Sequence, residues 1–469
     1  MRSPIVSLAF AFVAVAVSAA ATPALGAGAT FTPAIAKKID AIGNAEVAQG
    51  LTPGVAIGVV EDGRLVYARG FGYGDLATHR RVGAGTEFYI GSISKQFTAA
   101  AILLLAQNGK LSIDDNVTKY VPELTIASHV TIAQLLQQTS GLPDYTKAPG
   151  IAPDPTKPLK LADLLAAVNK MAVTSVPGST FAYNNLNYFV AGLIVERVSG
   201  LPLSDDLQTQ IFQPLYMSST FYAADVGISP TYARGYTGSR GHFVRAKPWD
   251  PSWLLGAGGL VSNVYDIAKW DIEMPVLLRV DAERSMFTAS GAPGAQAYGM
   301  GWVIDQRDGK RYIWHNGEIA GYHTMNALLP DDHVAVIVLA NADPLQSPTT
   351  IFPENVAAEI LDLVAPPQLA HVDNTIVARA KEWLVRLAAK NVDRTQLTPA
   401  FSAYLSDQLV AQSNFAALGS LKTLVPIAST DDGHGGALYE FLVTFARAHF
   451  HYKFGVDKTG KIDELLLGP

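Results

Sequence analysis

Gly91-Ser92-Ile93-Ser94-Lys95 stands at the head of the run Gln96-Phe97-Thr98-Ala99-Ala100-Ala101-Ile102-Leu103-Leu104-Leu105-Ala106-Gln107. The Ala/Leu stripe predicts a helix over 92–107, ended by Asn108-Gly109. Ser92 and Lys95 are three apart, so on a helix they share one face. A serine hydroxyl is a poor nucleophile until a neighbouring base removes its proton. A desolvated lysine amine can be that base. Its ordinary pKa of about 10.4 must fall by about three units, roughly 4 kcal/mol of environment, for it to be neutral at pH 7. The S-x-x-K spacing alone is weak, because many helices open with Ser and carry Lys on a solvated face.

Composition narrows the chemistry around that pair. The chain has 469 residues, 49% hydrophobic and 16% charged, with a formal net charge of −6 and no Cys. That length fits two or three domains, and this much apolar side chain can fill sizeable cores, which excludes general disorder. The acidic balance argues against a nucleic-acid partner. Without Cys there is no disulfide framework, thiolate nucleophile or zinc ribbon. A covalent nucleophile is then expected among Ser, Thr and Lys.

Arg2, the apolar run 5–21, and the small residues Ala19-Ala20-Ala21 and Ala24-Leu25-Gly26-Ala27 have the layout of a secretory signal peptide. The run is short for a membrane span of ~20 residues and no polar stop follows it. The expectation is a leader over 1–27, cleaved between Thr22 and Thr30. The mature protein would be secreted or periplasmic, without a stable membrane anchor.

Beyond the leader, residues 54–60 and 65–71 flank Asp62-Gly63 and predict a β-hairpin. Helices are expected over 131–138, 159–171, 188–198 and 261–270, the last entered from Gly256, Gly258 and Gly259. Late strands are expected over 298–305, 311–314, 324–329 and 334–340. Strands early, helices in the middle and antiparallel strands late imply an α+β fold, its antiparallel sheet assembled from both chain ends and flanked by helices and a helical subdomain. Ala365-Pro366-Pro367-Gln368 punctuates the chain, and the pattern restarts with a helix over 374–391. Strands over 421–429, 437–446, 449–456 and 462–466 follow. The division expected is 1–27, 28–365 and a small α+β domain over 366–469.

Two further clusters change the meaning of Ser92 and Lys95. Tyr183-Asn184-Asn185 follows Pro177-Gly178-Ser179 and precedes a helix. A Tyr hydroxyl can relay a proton and an Asn amide can hold a carbonyl or a lysine. Trp314-His315-Asn316-Gly317-Glu318 falls at the end of a predicted strand, where Gly lets a substrate backbone lie close to a free N–H. Taken singly, each cluster reads equally as a turn or a satisfied strand end.

Together, in this order, they resemble the serine β-lactamase and penicillin-binding protein superfamily, most closely the class C β-lactamase-like serine hydrolases with their esterase and D-aminopeptidase branches. S-x-x-K falls on Ser92 and Lys95, Y-x-N on Tyr183 and Asn185, and H-x-G on His315, Asn316 and Gly317. Residues 134–143, Gly258-Gly259-Leu260-Val261-Ser262 and Asp266-Ile267-Ala268-Lys269-Trp270 match supporting signatures. The resemblance spans roughly 34–365. It implies a β-lactamase/transpeptidase-like fold and a hydrolase that works through an acyl-enzyme without a cofactor or metal. In it Ser92 is the nucleophile, Lys95 and Tyr183 jointly handle the proton, and Asn185 orients the substrate. The N–H groups of Ser92 and Glu318 form the oxyanion hole, and His315, Asn316 and Gly317 line the substrate site. Small esters or short D-amino-acid-containing peptides are the substrates it implies.

There are departures. The third motif opens with His315 where a Lys would pair with a β-lactam carboxylate; neutral His does this less strongly. Gln138 stands where a His is common, with little consequence expected. The tail has a loose likeness to cystatin- or NTF2-like add-on domains, with His434, His449 and His451 expected on surface or strands, and its partner is not legible. The alternatives are a β-lactamase, or a non-catalytic module that binds penicillin-like ligands or peptidoglycan. A metalloenzyme reading would use His315, Glu318 and His323, but their spacing lacks the i, i+4 histidine pair that holds zinc on a helix. No G-x-S-x-G elbow is present.

Overall fold

The computed structural model describes residues 31–148, 154–223, 229–292, 296–343, 352–367, 369–412, 418–431, 435–445 and 449–468. The expected leader over 1–27 and His434 lie outside them.

The described chain opens with helix α1 (Pro33–Ala48), where Thr32 caps the first turn by accepting from the Ile35 N–H and Pro33 presets the first φ. Strands β1 (Gly54–Glu61) and β2 (Arg64–Asp75) form the expected hairpin, continued by the short β3 (Arg80–Arg81). Asp62 and Gly63 both take positive φ, the turn that matches the twist of the strands. β1 is buried on both faces. Val55, Ile57 and Val59 join the core under α1, while Ala56 and Val60 join the core around the helical region. The strand therefore reads as a continuous apolar run instead of an alternating one.

Helix α2 (Ser94–Gln107) follows a 3₁₀ turn at Gly91–Ile93 and is buried from Ser94 to Leu105. Its Phe97 ring lies 4.5 Å from Trp270 and 5.5 Å from Phe212. Helix α3 (Asn185–Ser199) packs against it, capped by the Asn184 side chain and stopped at Gly200 in the left-handed region. The helix expected over 261–270 divides. Leu260–Ser262 is a short strand pairing with Phe88–Tyr89 and Phe221–Tyr222, and helix α4 (Val264–Leu277) starts only after it. The reason is local: the Asn263 side chain accepts from the Asp266 N–H and fixes the helix start there.

The late strands are β4 (Val303–Arg307), β5 (Lys310–Ile319), β6 (Tyr322–Leu329) and β7 (Val334–Ala340), and helix α5 (Pro353–Val364) covers their outer face. The sheet runs β3-β2-β1-β7-β6-β5-β4, with β1 antiparallel to β7 from Val55↔Ala340 to Glu61↔Val334. The chain ends thus meet in mid-sheet, as expected. Two bounds differ from the sequence reading. Tyr298 makes only an isolated bridge to Val303 ahead of β4. β5 continues through Ile319, because its pairing with β6 runs unbroken from Ile313↔Leu328 to Ile319↔Tyr322. His315 to Glu318 therefore sit inside a strand and not at its end.

The tail has its own core. Helix α6 (Asn374–Ala388) lays Trp383 and Leu384 on a four-stranded antiparallel meander, β8 (Leu421–Asp431), β9 (Ala437–Phe445), β10 (His449–Val456) and β11 (Ile462–Gly468). The Asp457 carboxylate accepts from the N–H groups of Thr459 and Lys461 and closes the last turn. The tail docks through His451, whose Nδ1 lies 3.2 Å from Asp308 and Nε2 3.8 Å from Asp362. Asp305, Arg307, Glu354, Glu440 and Lys453 are further charged groups lining the same pocket.

Burial opposes a charge on His451, but Asp308 and Asp362 outweigh it and hold its pKa above the ordinary value. A raised folded value means the contribution is complete below about pH 6.5, the ordinary value, and is lost as pH rises through the folded one. Limited proteolysis between residues 366 and 373 should therefore accelerate from pH 6 to pH 9. His451→Gln should remove that dependence, and an unchanged profile would contradict the docking role.

Candidate active site

Lys95 is completely buried at the base of a cleft. Its Nζ lies 2.9 Å from Ser92 Oγ, 2.9 Å from Asn185 Oδ1 and 2.7 Å from the Ala257 carbonyl. None of these partners carries a charge, and burial pushes the amine well below its ordinary pKa. A neutral amine has two N–H bonds and one lone pair. Asn185 and Ala257 can only accept at these atoms, so they take the two N–H bonds. The lone pair is left facing the Ser92 hydroxyl, the arrangement a general base requires.

Tyr183 stands over the same amine, with Lys95 Nζ 5.0 Å from its ring centroid. The residue as a whole is 43% exposed, while its hydroxyl end interacts with Ser92. Desolvation at that end holds the phenol above its ordinary pKa, with Ser92 pulling it down. Asn184 is structural: its amide donates to the Leu142 and Pro143 carbonyls. Gln138 Oε1 accepts from the Asn184 N–H and from Asn187, so it anchors the start of α3 and thereby Asn185.

The third cluster reaches the cleft from β5. Gly317 has no room for a side chain: a Cβ there would lie 1.9 Å from the Ile90 carbonyl oxygen. Gly91, at φ 52°, is also tightly placed from the other side, since a Cβ on it would meet the Glu318 N at 2.9 Å. The Ser92 turn and the Glu318 backbone are therefore neighbours through two glycines.

His315 is buried and its pKa is lowered to about 3, first by desolvation and then by Lys95. Its Nδ1 lies against the Asn316 carbonyl, which can only accept, so Nδ1 carries the proton. Nε2 then accepts from the Tyr298 hydroxyl at 2.9 Å. The ring is a neutral, fixed spacer and not a cation for a substrate carboxylate. Asn316 lines the cleft with Ser92 and donates to Glu354 at 2.7 Å. His323 bonds the same Glu354 oxygen at 2.9 Å and lies 3.6 Å from Glu318. These bonds overcome desolvation and keep Glu354 below its ordinary pKa, whereas burial raises Glu318.

The cleft encloses about 550 Å³, with Ser92, Tyr183, Asn185, Trp249, Trp314 and Glu318 on its walls and neither Lys nor Arg among its described lining residues. The structure thus brings Ser92, Lys95, Tyr183, Asn185, His315, Asn316, Gly317 and Glu318 together. The His315, Glu318, His323 set does not form as a unit: Glu318 and His323 group with Glu354, while His315 faces Tyr298. Sequence reasoning missed Ala257, Tyr298 and Glu354. Only Tyr298, within a predicted strand, carried any signal.

Replacing Gly317 by Ala should force β5 away from the Ser92 turn. We expect kcat/KM to fall by on the order of 100-fold, the cost of an ångström-scale misplacement. Steady-state kinetics on a protein with an unchanged melting profile of the tail checks this; a loss under threefold would contradict the close-contact account.

The comparisons with known proteins agree with this geometry. The Beta-lactamase family model matches residues 39–357. Protein flp of Staphylococcus aureus (strain MRSA252) is 28% identical over 317 residues, covering 65% of this chain and 62% of that protein. Unguisins hydrolase ungD' of Aspergillus campestris is 28% identical over 318 residues, covering 62% and 58%. The chain thus spans less than two thirds of the length of these curated relatives. Among solved structures, the octameric penicillin-binding protein homologue from Pyrococcus abyssi aligns with a TM-score of 0.61 at 22% identity over 90% of this chain and 96% of its own. The D-amino acid amidase from Ochrobactrum anthropi SV3 aligns with a TM-score of 0.63 at 24% identity over 71% and 99%. These two share the fold. With the family model covering more than half of its length, the chain belongs to the beta-lactamase family.

Proposed function

We propose that the protein is exported and cleaves ester or amide bonds through an acyl-enzyme on Ser92, acting on small esters or D-amino-acid amides and short peptides. The observation that carries this is the uncharged surroundings of Lys95, 2.9 Å from Ser92 Oγ. Ser92 Oγ bonds to the carbonyl carbon and its proton passes to Lys95 Nζ. The N–H groups of Ser92 and Glu318 receive the oxyanion. Tyr183, whose raised pKa keeps it a neutral phenol, gives its proton to the departing nitrogen or oxygen as that bond breaks. Lys95 returns the proton to Tyr183, and water then hydrolyses the acyl ester by the same relay.

The cleft electrostatics favour this class over β-lactams. A penicillin carries a carboxylate close to the scissile bond. Here that carboxylate would meet the neutral His315 and the Glu318 carboxyl, with neither Lys nor Arg among the described lining residues. The amidase neighbour named for D-amino acids supports the choice of D-amino-acid amides. Export is supported by the leader pattern of residues 1–27. Among the described residues no helix is long and apolar enough to cross a membrane.

A panel of p-nitrophenyl esters, D-phenylalaninamide and nitrocefin should give kcat/KM at least about 100-fold higher for one of the first two classes. The reverse order would overturn the substrate assignment, and turnover surviving in Ser92→Ala would overturn the nucleophile. The pH profile is a second check. The depressed pKa of Lys95 means the folded protein binds fewer protons there than the unfolded chain, so acidification charges the amine and removes the base. kcat/KM should fall on the acid side as one proton binds. Asn185→Asp places a carboxylate against the amine and should move that limb to higher pH; an unmoved limb would exclude Lys95 as its source.

A further inference from the structure

A second cavity of about 270 Å³ opens beside the catalytic cleft. Trp249 lines both, and the cavity continues from Ile319 in the cleft to Ala320 in its own wall. Three tyrosines form one side: Tyr89, Tyr232 and Tyr322 lie with ring centroids 5.5–5.9 Å apart. Their hydroxyls are largely spent on the protein, since the Tyr322 hydroxyl donates to the Ala233 carbonyl at 2.8 Å and lies 2.7 Å from the Tyr232 hydroxyl. What faces the space is mostly ring surface.

Two guanidinium groups border this aromatic chamber, Arg234 and Arg245. The Arg234 backbone is pinned at both ends, its N–H to the Gly74 carbonyl and its carbonyl to Asn341. Its Nη1 is nevertheless buried without a hydrogen-bond partner. Its carboxylate neighbour among the described residues, Asp75, is 3.9 Å from Nε and already accepts the Ala77 N–H at 2.9 Å. Arg245 is exposed and makes no ion pair among the described residues.

We propose that this cavity is a subsite for the distal end of the substrate, an aromatic or bulky apolar residue carrying a free carboxylate. The rings take the apolar body and the two arginines take the carboxylate in charge-assisted hydrogen bonds. The proposal rests on the reading of the Ser92 cleft as the hydrolytic site and deepens it. The scissile carbonyl sits at Ser92, where a carboxylate is unwelcome, and the acid group lies one compartment away, past Trp249. The preferred substrates are then short acyl or aminoacyl conjugates of an aromatic amino acid with its carboxyl group free.

The test uses the full chain with Ser92→Ala, which removes turnover from the measurement. Calorimetric titration with 3-phenylpropionate and with its neutral amide should show the carboxylate binding at least about tenfold more tightly at low ionic strength. Arg245→Gln, at an exposed strand position, should abolish that difference while leaving the melting temperature unchanged, and Arg234→Gln should do the same. Equal affinities for the two probes, no binding of either, or a preference that survives Arg245→Gln would overturn the subsite. Failure of the wild-type protein on every ester and amide would count instead against the Ser92 reading, because the titration needs no hydrolysis.

Discussion

The site depends on one buried amine with no counter-charge. A carboxylate beside Lys95 would have stabilised its burial and locked it in the protonated form. The fold surrounds it instead with an amide oxygen, a backbone carbonyl and a serine hydroxyl. This satisfies the nitrogen without neutralising a charge, and burial shifts the balance toward the neutral amine. The environment proposed to make Lys95 a base also leaves it without an ion-pair partner among the described residues.

Three distant segments must meet to build that environment. α2 brings Ser92 and Lys95, the start of α3 brings Asn185, and the segment before the strand at Leu260–Ser262 brings the Ala257 carbonyl. The sheet brings the fourth wall, because β1 and β7 join the two ends of the domain in mid-sheet and set β5 against the Ser92 turn. The contact is close enough that only glycine fits at 317. Stability and catalysis are coupled there: anything that separates β5 from the turn also separates the two backbone N–H groups proposed to receive the oxyanion.

Much of this was legible in the sequence, and the rest was not for specific reasons. Ser92, Lys95, Tyr183 and Asn185 announce themselves because side-chain chemistry and spacing are both visible. The β1–β2 hairpin shows through its turn residues. The Ala257 carbonyl is invisible because every residue carries one. Tyr298 and Glu354 act through His315 and Asn316 from separate elements, so no local spacing links them. Val261 and Ser262 read as helix in the sequence because two residues have no measurable period, and the cap at Asn263 decides the boundary. His315 to Glu318 were placed at a strand end because Asn and Gly weaken the pattern, although pairing with β6 carries the strand through them.

The measurement that tests the central claim most directly is intact-mass labelling of the protein with a fluorophosphonate, followed by peptide mapping. The account predicts one adduct, on Ser92, forming at least about 100-fold more slowly in a folded Lys95→Ala variant, the scale expected for loss of a general base. No adduct on folded protein, or equal labelling rates with and without Lys95, would show that the buried amine does not activate the serine.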